Sequence, residues 1–329
     1  MCFEKVILIT TLTLLVVSLN VNAESLKQES DHAVQAVQAY QEGDYQNAAT
    51  HFKKVVQLDP SNAKAWIFLG QSLAKTNDVE GAQRAFAKAL KLQPSGRVAD
   101  RVNEQLAKLP GSILRDCPTC PEMVVISAGS FEMGEPYKKH TVTFSQVFAI
   151  GKFEVTQAQW KTVMGSNPST FSNCGDNCPV ENVSWNDAQE FIQKLNAKTG
   201  KQYRLPSEAE WEAACRGGET HQYCGSSEVQ SVAWYDERST RPVGQKQANA
   251  YGLYDMSGNV WEWVEDGWHE NYNGAPSDGT AWQGYDSRNV IRGGSWRFDR
   301  FVIDAAERKW NIPSDRYSTL GFRLAKTLP

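Results

Sequence analysis

The sequence has no excess of basic residues, no long apolar run and few histidines. Its 329 residues carry 34 basic and 38 acidic side chains, so no overall positive field attracts nucleic acid. The apolar run at residues 6–19 is shorter than the roughly 20 residues of a membrane span. The 5 histidines include no pair at a metal-ligand spacing such as i, i+4. These absences disfavour a nucleic-acid-binding protein, a membrane bundle and a histidine-based metal enzyme.

The N-terminal segment has the features of a secretory signal. Lys5 precedes the apolar run, and Val21 and Ala23 are small residues at the positions that a signal peptidase reads. We expect a signal peptide at residues 1–23, cleavage near Ala23, and export to the periplasm or the medium. A retained membrane anchor is the alternative. Cys2 precedes the run and cannot serve as a lipoprotein cysteine, so we expect no stable membrane anchor.

The other six cysteines form three close pairs in the sequence. An even number of cysteines in an oxidising compartment favours disulfides, and pairing of neighbours is the simplest connectivity. Cys117 and Cys120 also fit a redox pair or half of a zinc site, although no second CxxC and no nearby histidine completes such a site. The expected bridges are Cys117–Cys120, Cys174–Cys178 and Cys215–Cys224.

Residues 29–62 and 63–96 repeat each other at an offset of 34 residues. Small residues in this pattern let two helices approach closely, and large apolar residues fill the space between them. The pattern resembles tetratricopeptide repeats. The matching pairs are Ala36 and Gly70, Asp44 and Asp78, Ala48 and Ala82, Phe52 and Phe86, and Pro60 and Pro94.

A third apolar pattern, from Val98 to Leu109, predicts a capping helix that completes a repeat domain at residues 24–110. The resemblance leaves two roles open for this domain. It is either a spacer or a short concave groove that holds a peptide of a partner protein.

After a linker predicted at residues 111–120, the pattern changes to short strands, loops and a few helices. Three helix starts have capping-box spacing: Thr156 with Gln159, Ser184 with Asp187, and Ser207 with Glu210. An α+β fold is expected for residues 121–329. The predicted strands are 123–126, 141–144 and 148–150.

Seven strings of this region occur in the order found in the sulfatase-modifying factor, or formylglycine-generating enzyme, family. The resemblance implies the C-type-lectin-like fold of that family. In its oxidase members, a copper-bound cysteine pair after an RGGS motif converts the cysteine of a CxPxR motif to formylglycine. The strings are MVVISAGSFEMG, EVTQAQW, PVENVSWNDAQEF, RLPSEAEWEAACRGG, NAYGLYDMSGNVWEW, RGGSW and LGFRLA.

This sequence departs from the oxidase pattern after Ser295. The next residues read WRFDRFVIDAAERKWNIP, and the last cysteine of the chain is Cys224. A cuprous ion needs soft thiolate ligands, which Phe298 and Asp299 cannot supply, so copper is not expected. Ser295 matches a serine of the oxidase active site and is a weak catalytic candidate; a turn residue after two glycines is the alternative.

The segment Asp255–Glu262 resembles a calcium loop of the family. The resemblance assigns the ligands to Asp255, Gly258, Val260 and Glu262, and oxygen ligands suit a structural Ca²⁺. The alternative is that Asp255 caps a turn and Glu262 pairs with an arginine.

The resemblance also marks a surface for ligand binding. Arg297, Arg300 and Trp310 lie where the oxidase members have their substrate groove, although solvated loop residues are the alternative. Other arginines, such as Arg292 and Arg323, are expected to support the core beneath aromatic side chains.

Three functions remain open at this point. The first is an exported, calcium-stabilised binding or accessory protein that recruits a protein partner through its repeats and binds a protein or glycan at its C-terminal domain. The second is a protein-modifying oxidase that uses an unrecognised metal site. The third is a ligand-display protein with variable loops on a fixed core.

Overall fold

The computed structural model describes residues 24, 26–93, 95–135 and 137–328. The predicted signal peptide and its cleavage site near Ala23 lie outside these residues. The chain divides into two compact units between Leu109 and Pro110. In the described residues, no helix has both the length and the apolar character needed to cross a membrane.

The N-terminal unit is a stack of helices, as the repeats predict. Asp44, Asn62 and Asp78 cap the second, third and fourth helices by accepting a hydrogen bond from the amide three residues later. The helices are α1 (residues 26–41), α2 (Tyr45–Leu58), α3 (Ala63–Lys75), α4 (Val79–Leu92) and α5 (Arg97–Ala107).

Residues at matching repeat positions form the core of this unit. Ala48, Phe52, Ala82 and Phe86 are all buried. Gly70 packs against Phe86 so closely that a Cβ atom there would lie 2.7 Å from the ring. The predicted capping helix is α5, and it buries Val102 against the same core.

The C-terminal unit contains three sheets. The first has the order β1-β2-β5-β11-β6 and is antiparallel throughout. The second has the order β10-β7-β8-β9, with β10 parallel to β7, and the third pairs β3 with β4. The strands are β1 (Ile113–Leu114), β2 (Met123–Ile126), β3 (Gly129–Met133), β4 (His140–Phe144), β5 (Phe148–Gly151), β6 (Tyr203–Arg204), β7 (Trp261–Gly267), β8 (Asn289–Arg292), β9 (Arg308–Asn311), β10 (Leu320–Phe322) and β11 (Ala325–Thr327).

Four α-helices of the described residues accompany the sheets. Capping boxes form at all three predicted starts, because each capping hydroxyl accepts from the amide three residues later and the side chain of that residue accepts in return. Each of these three helices ends at a glycine with positive φ. The helices are α6 (Gln157–Met164), α7 (Trp185–Thr199), α8 (Glu208–Arg216) and α9 (Val229–Val232).

The predicted linker at residues 111–120 is wrong, because this segment is part of the C-terminal unit. Strand β1 lies within it and pairs with β2. Asp116 accepts hydrogen bonds from Lys326 at 2.7 and 2.9 Å. A strand of two residues is too short to show the alternation of apolar and polar residues by which a strand is recognised in a sequence.

The six cysteines lie in the three expected pairs: Cys117 with Cys120, Cys174 with Cys178, and Cys215 with Cys224. Each pair joins residues that are close in sequence. The long-range packing therefore depends on side chains such as Trp211 and Trp263, which are both fully buried.

Candidate functional site

Ser295 follows strand β8 in a tight turn. Gly293 and Gly294 adopt positive φ values of 92° and 75°, and a Cβ at Gly294 would lie 2.6 Å from the carbonyl oxygen of Val302. Ser295 is fully buried, and its hydroxyl has no hydrogen-bond partner among the described residues. The structure therefore gives this hydroxyl no general base.

The surroundings of Ser295 do not fit a copper ion bound by thiolates. The six cysteines of residues 24–328 are all in disulfides, and no cysteine follows Cys224. Phe298, which comes three residues after Ser295, has no thiolate, and its side chain is 40% exposed. In the described part of the chain, no three His, Cys, Asp or Glu residues are grouped to hold a metal ion.

The segment Asp255–Glu262 is a buried loop that leads into β7. Asp255, Gly258 and Asn259 have φ values of 55°, 84° and 55°, which is the left-handed region that Gly and Asn tolerate best. Oδ2 of Asp255 accepts a hydrogen bond from the Gly244 amide at 2.7 Å, whereas its Oδ1 is buried and has no partner in the described part of the chain. This loop thus contains one carboxylate oxygen that is free for another ligand.

Glu262 is held by a buried ion pair. Nε and Nη2 of Arg323 donate to its two oxygens at 2.6 and 2.7 Å, and Nε1 of Trp211 donates at 2.8 Å. Both Glu262 and Arg323 are fully buried. The geometry is thus that of the arginine pair weighed above as the alternative for Glu262.

Glu154 is a third carboxylate near this loop that the sequence did not reveal. It accepts from the Val260 amide at 3.1 Å and from Nδ2 of Asn259 at 2.7 Å. Burial, together with the charges of Asp255 and Glu262, raises its pKa well above the ordinary value. Burial likewise raises the pKa of Asp255 to about 6. In the sequence, the one sign of a special role for Glu154 is its position two residues before Thr156, which caps helix α6.

Arg292 supports the core as expected. It lies over the Trp211 ring at 5.0 Å, donates to Glu212 at 2.6 Å and is fully buried. Its Nη1 donates to the carbonyl oxygens of Ala306 and Glu307 and its Nη2 also donates to that of Ala305, whereas its Nε has no hydrogen-bond partner among the described residues. Arg292 therefore fixes the segment that follows Ser295 and is not available to a ligand.

The three residues of the expected ligand surface are all exposed, but they have different neighbours. Arg300 lies over Phe301, with 5.3 Å from its guanidinium carbon to the ring centre. Trp310, on β9, lies beneath Arg288 at 4.7 Å. Arg297 adjoins the exposed Phe298. These contacts do not assemble the three side chains into one cluster.

Comparisons with known proteins identify both units. The tetratricopeptide repeat model matches residues 39–100, and the sulfatase-modifying factor enzyme 1-like domain model matches residues 111–328. Repeats of the first kind are protein interaction modules in general.

Relatives with different names each match about half of this chain. The chain is 33% identical over 232 residues to Chaperone protein LppX of Paenibacillus barcinonensis, covering 53% of this chain and 78% of that protein. It is 31% identical over 192 residues to the formylglycine-generating enzyme of Mus musculus, covering 52% of this chain and 50% of the enzyme. The chain thus spans half the length of the mouse enzyme.

Among solved structures, PvdO from Pseudomonas aeruginosa matches with a TM-score of 0.62 and 36% identity, over 68% of this chain and all of that chain. The matched share agrees with the size of the C-terminal unit, which has the mixed sheets described above. This chain belongs to the family of the sulfatase-modifying factor enzyme 1-like domain, and tetratricopeptide repeats precede that domain.

Proposed function

We propose that this chain is an exported binding or accessory protein, and that it does not carry out the copper-dependent oxidation of the family's oxidases. The observation that carries the proposal is the state of the cysteines: all six in residues 24–328 are paired with a neighbour, so none is a free thiolate beside Ser295. Export fits these disulfides and the signal-like segment at residues 1–23. Ligand binding is assigned to the exposed Arg297, Arg300 and Trp310.

The repeats are proposed to recruit a partner protein. Exposed or half-buried apolar side chains lie on both α1 and α3, the first helices of the two repeats, and those of Tyr40 and Phe68 are in contact. Val37 is 41% exposed and Phe68 is 37% exposed, and the rings of Tyr40 and Phe68 meet edge to face at 5.4 Å. We call Val37, Tyr40 and Phe68 the apolar strip. Such a strip across two helices suits an extended or helical peptide with apolar side chains.

Val37→Asp should abolish partner recruitment, because a charge in the strip opposes burial of an apolar peptide. The tagged full chain would be used to capture proteins from an extract of the organism that encodes it, with quantitative mass spectrometry as the readout. Leu26→Asp is the matched control, because Leu26 is 66% exposed near the start of α1. If the Val37 variant captures every protein in the same amount as the wild type and the Leu26 control do, the proposed recruitment by this strip is wrong.

Calcium is proposed to stabilise the C-terminal unit through Asp255 and the carbonyl groups of Gly258 and Val260. Among the described residues, Oδ1 of Asp255 has no hydrogen-bond partner, and the charges that act on the buried Glu154 are those of the buried Asp255, Glu262 and Arg323. A divalent cation would offset the excess negative charge. Glu262 would contribute an oxygen that it shares with Arg323.

Calcium should therefore raise the melting temperature of the full chain. At a concentration about 100 times the dissociation constant, a ligand of the folded state adds about 2.7 kcal/mol of stability, which corresponds to roughly 5 to 10 °C for a unit of this size. Asp255→Asn should lose the shift, yet fold, because asparagine tolerates a positive φ and keeps one acceptor for Gly244.

Asp278→Asn is the control for the calcium experiment, since Asp278 is exposed and should leave the shift intact. The measurement is thermal unfolding in chelator and in calcium. A wild-type melting temperature that is equal in both buffers, or a full shift in the Asp255 variant, would show that the site is wrongly assigned.

A further inference from the structure

A second candidate site lies after the end of β7, and its lining includes neither Ser295 nor a residue of the segment Asp255–Glu262. Here a cavity of about 370 Å³ is lined by aromatic side chains and by a polar rim. The aromatic residues are Trp268, His269, Trp282 and Tyr285. We call this cavity the aromatic pocket.

The floor of the aromatic pocket is a stacked pair of rings. His269 and Trp282 are parallel within 2°, with 3.6 Å between their ring centres. Tyr285 meets His269 edge to face at 4.9 Å and is 90% exposed. His269 is 7% exposed, and its Nε2 has no hydrogen-bond partner among the described residues. An exposed ring and an unpaired ring nitrogen beside one cavity are features of a binding site, since neither serves the core.

The backbone holds this floor in place before any ligand arrives. The Trp282 amide donates to Asp266 at 2.8 Å, and its carbonyl oxygen accepts from Gly267 at 2.9 Å. The Trp268 amide donates to the carbonyl oxygen of Arg288 at 2.8 Å. Gly267 and Gly284 cross so closely that a Cβ on Gly267 would lie 2.2 Å from the Gly284 nitrogen. Such a fixed site loses little conformational entropy on binding.

The rim of the pocket is polar and has little net charge. Asn271 and Asn273 offer amide donors and acceptors, and Glu270 and Asp286 offer carboxylates. Arg288 is the rim's one guanidinium, and its Nε already donates to Asp286 at 2.8 Å. A strongly anionic ligand would therefore meet more carboxylates than free cations.

The arrangement of the rings excludes a cage for an ammonium group. Such a cage needs aromatic faces that converge on the cation from several sides. In the aromatic pocket, His269 and Trp282 use one face on each other, and the guanidinium of Arg308 covers Trp268 at 4.4 Å. What remains is the exposed ring of Tyr285, which stands at 73° to the His269 ring, with hydrogen-bonding groups of the rim beside it.

We propose that the aromatic pocket binds a neutral saccharide. A pyranose ring has an apolar face of C–H groups that stacks on an exposed aromatic ring, here that of Tyr285, and it has hydroxyl groups at its edge that pair with amides and carboxylates. This inference rests on the proposed binding function and names its ligand class. Arg288 joins the pocket to the expected ligand surface, because it also covers Trp310.

The test is binding of the fluorescently labelled full chain to an immobilised panel of neutral oligosaccharides made of glucose, mannose or N-acetylglucosamine units. At least one type should bind. Tyr285→Ala should weaken that binding about tenfold, the effect of losing one aromatic contact, and Tyr285→Phe should restore it. Tyr137→Ala is the matched control, because Tyr137 is 99% exposed and does not line the pocket.

The melting temperatures of all three variants should equal that of the wild type, since neither tyrosine is buried. Absence of binding to every oligosaccharide overturns the proposal, as does equal binding by wild type and Tyr285→Ala. Binding of a tetraalkylammonium ion or an acidic peptide in place of the sugars also overturns it. Partner capture through Val37 is measured separately, so failure of the saccharide test leaves that part of the proposed function standing.

Discussion

Replacing Arg323 with alanine is expected to lower the free energy of unfolding of the C-terminal unit by about 3 to 5 kcal/mol. Arg323 is the fully buried partner of Glu262, and it also donates to the carbonyl oxygens of Gly151 and Tyr254 at 2.9 Å. Without it, the Glu262 carboxylate would remain buried beside Glu154 and would lose its guanidinium partner. Denaturant unfolding of the full chain in chelator measures the change.

Arg316→Ala provides the control for this experiment. Nε and Nη2 of Arg316 donate to the two oxygens of Asp187 at 2.6 and 2.7 Å, which matches the geometry of the Arg323 pair. Its side chain, however, is 50% exposed, and an exposed ion pair contributes about 0 to 1 kcal/mol. Equal losses in the two variants would contradict the argument that burial of the charge determines the cost.

The features that the sequence predicted well are those set by residues close together in the chain. A hydroxyl caps a helix only through the amides that follow it, so Ser184 and Ser207 could be recognised as helix starts. The repeat pattern works in the same way, because Phe52 and Phe86 have the same local surroundings in each copy. The three cysteine pairs also join near neighbours.

Contacts between distant residues could not be read from the sequence. Glu154 is 105 residues from Asn259, whose side chain donates to it, and Glu262 is 61 residues from Arg323. A motif match finds Asp255 and Glu262 but cannot show that one has a free oxygen and the other a bound arginine. The linker prediction failed for the same reason, because the partners of Asp116 are Tyr203 and Lys326.

The aromatic pocket is a further case of assembly by the fold. Residues 268–273 and 282–288 line it from the two segments between β7 and β8, and neither segment has a periodic pattern. Their register depends on the crossing of Gly267 and Gly284. In the sequence, these segments are distinguished only by several aromatic and acidic residues.

The purified chain is expected to leave the cysteine of a CxPxR peptide unconverted, with or without copper, under conditions in which the mouse formylglycine-generating enzyme converts it. A cuprous ion needs thiolates, and the six cysteines of residues 24–328 are in disulfides. Within the described residues, the buried Ser295 hydroxyl has no hydrogen-bond partner that could activate it. The measurement is the peptide mass, together with capture of the product aldehyde by a hydrazide reagent.

Two controls make the negative result informative. The protein should show the melting temperature of the folded chain after the assay, so that loss of structure does not explain inactivity, and the mouse enzyme should remain active when the two proteins are mixed, so that an inhibitor is excluded. Formation of the aldehyde in a copper- and oxygen-dependent reaction would contradict the proposed function. Persistence of that reaction in Ser295→Ala would further place its site away from the turn after β8, because the substitution removes the hydroxyl of the buried serine.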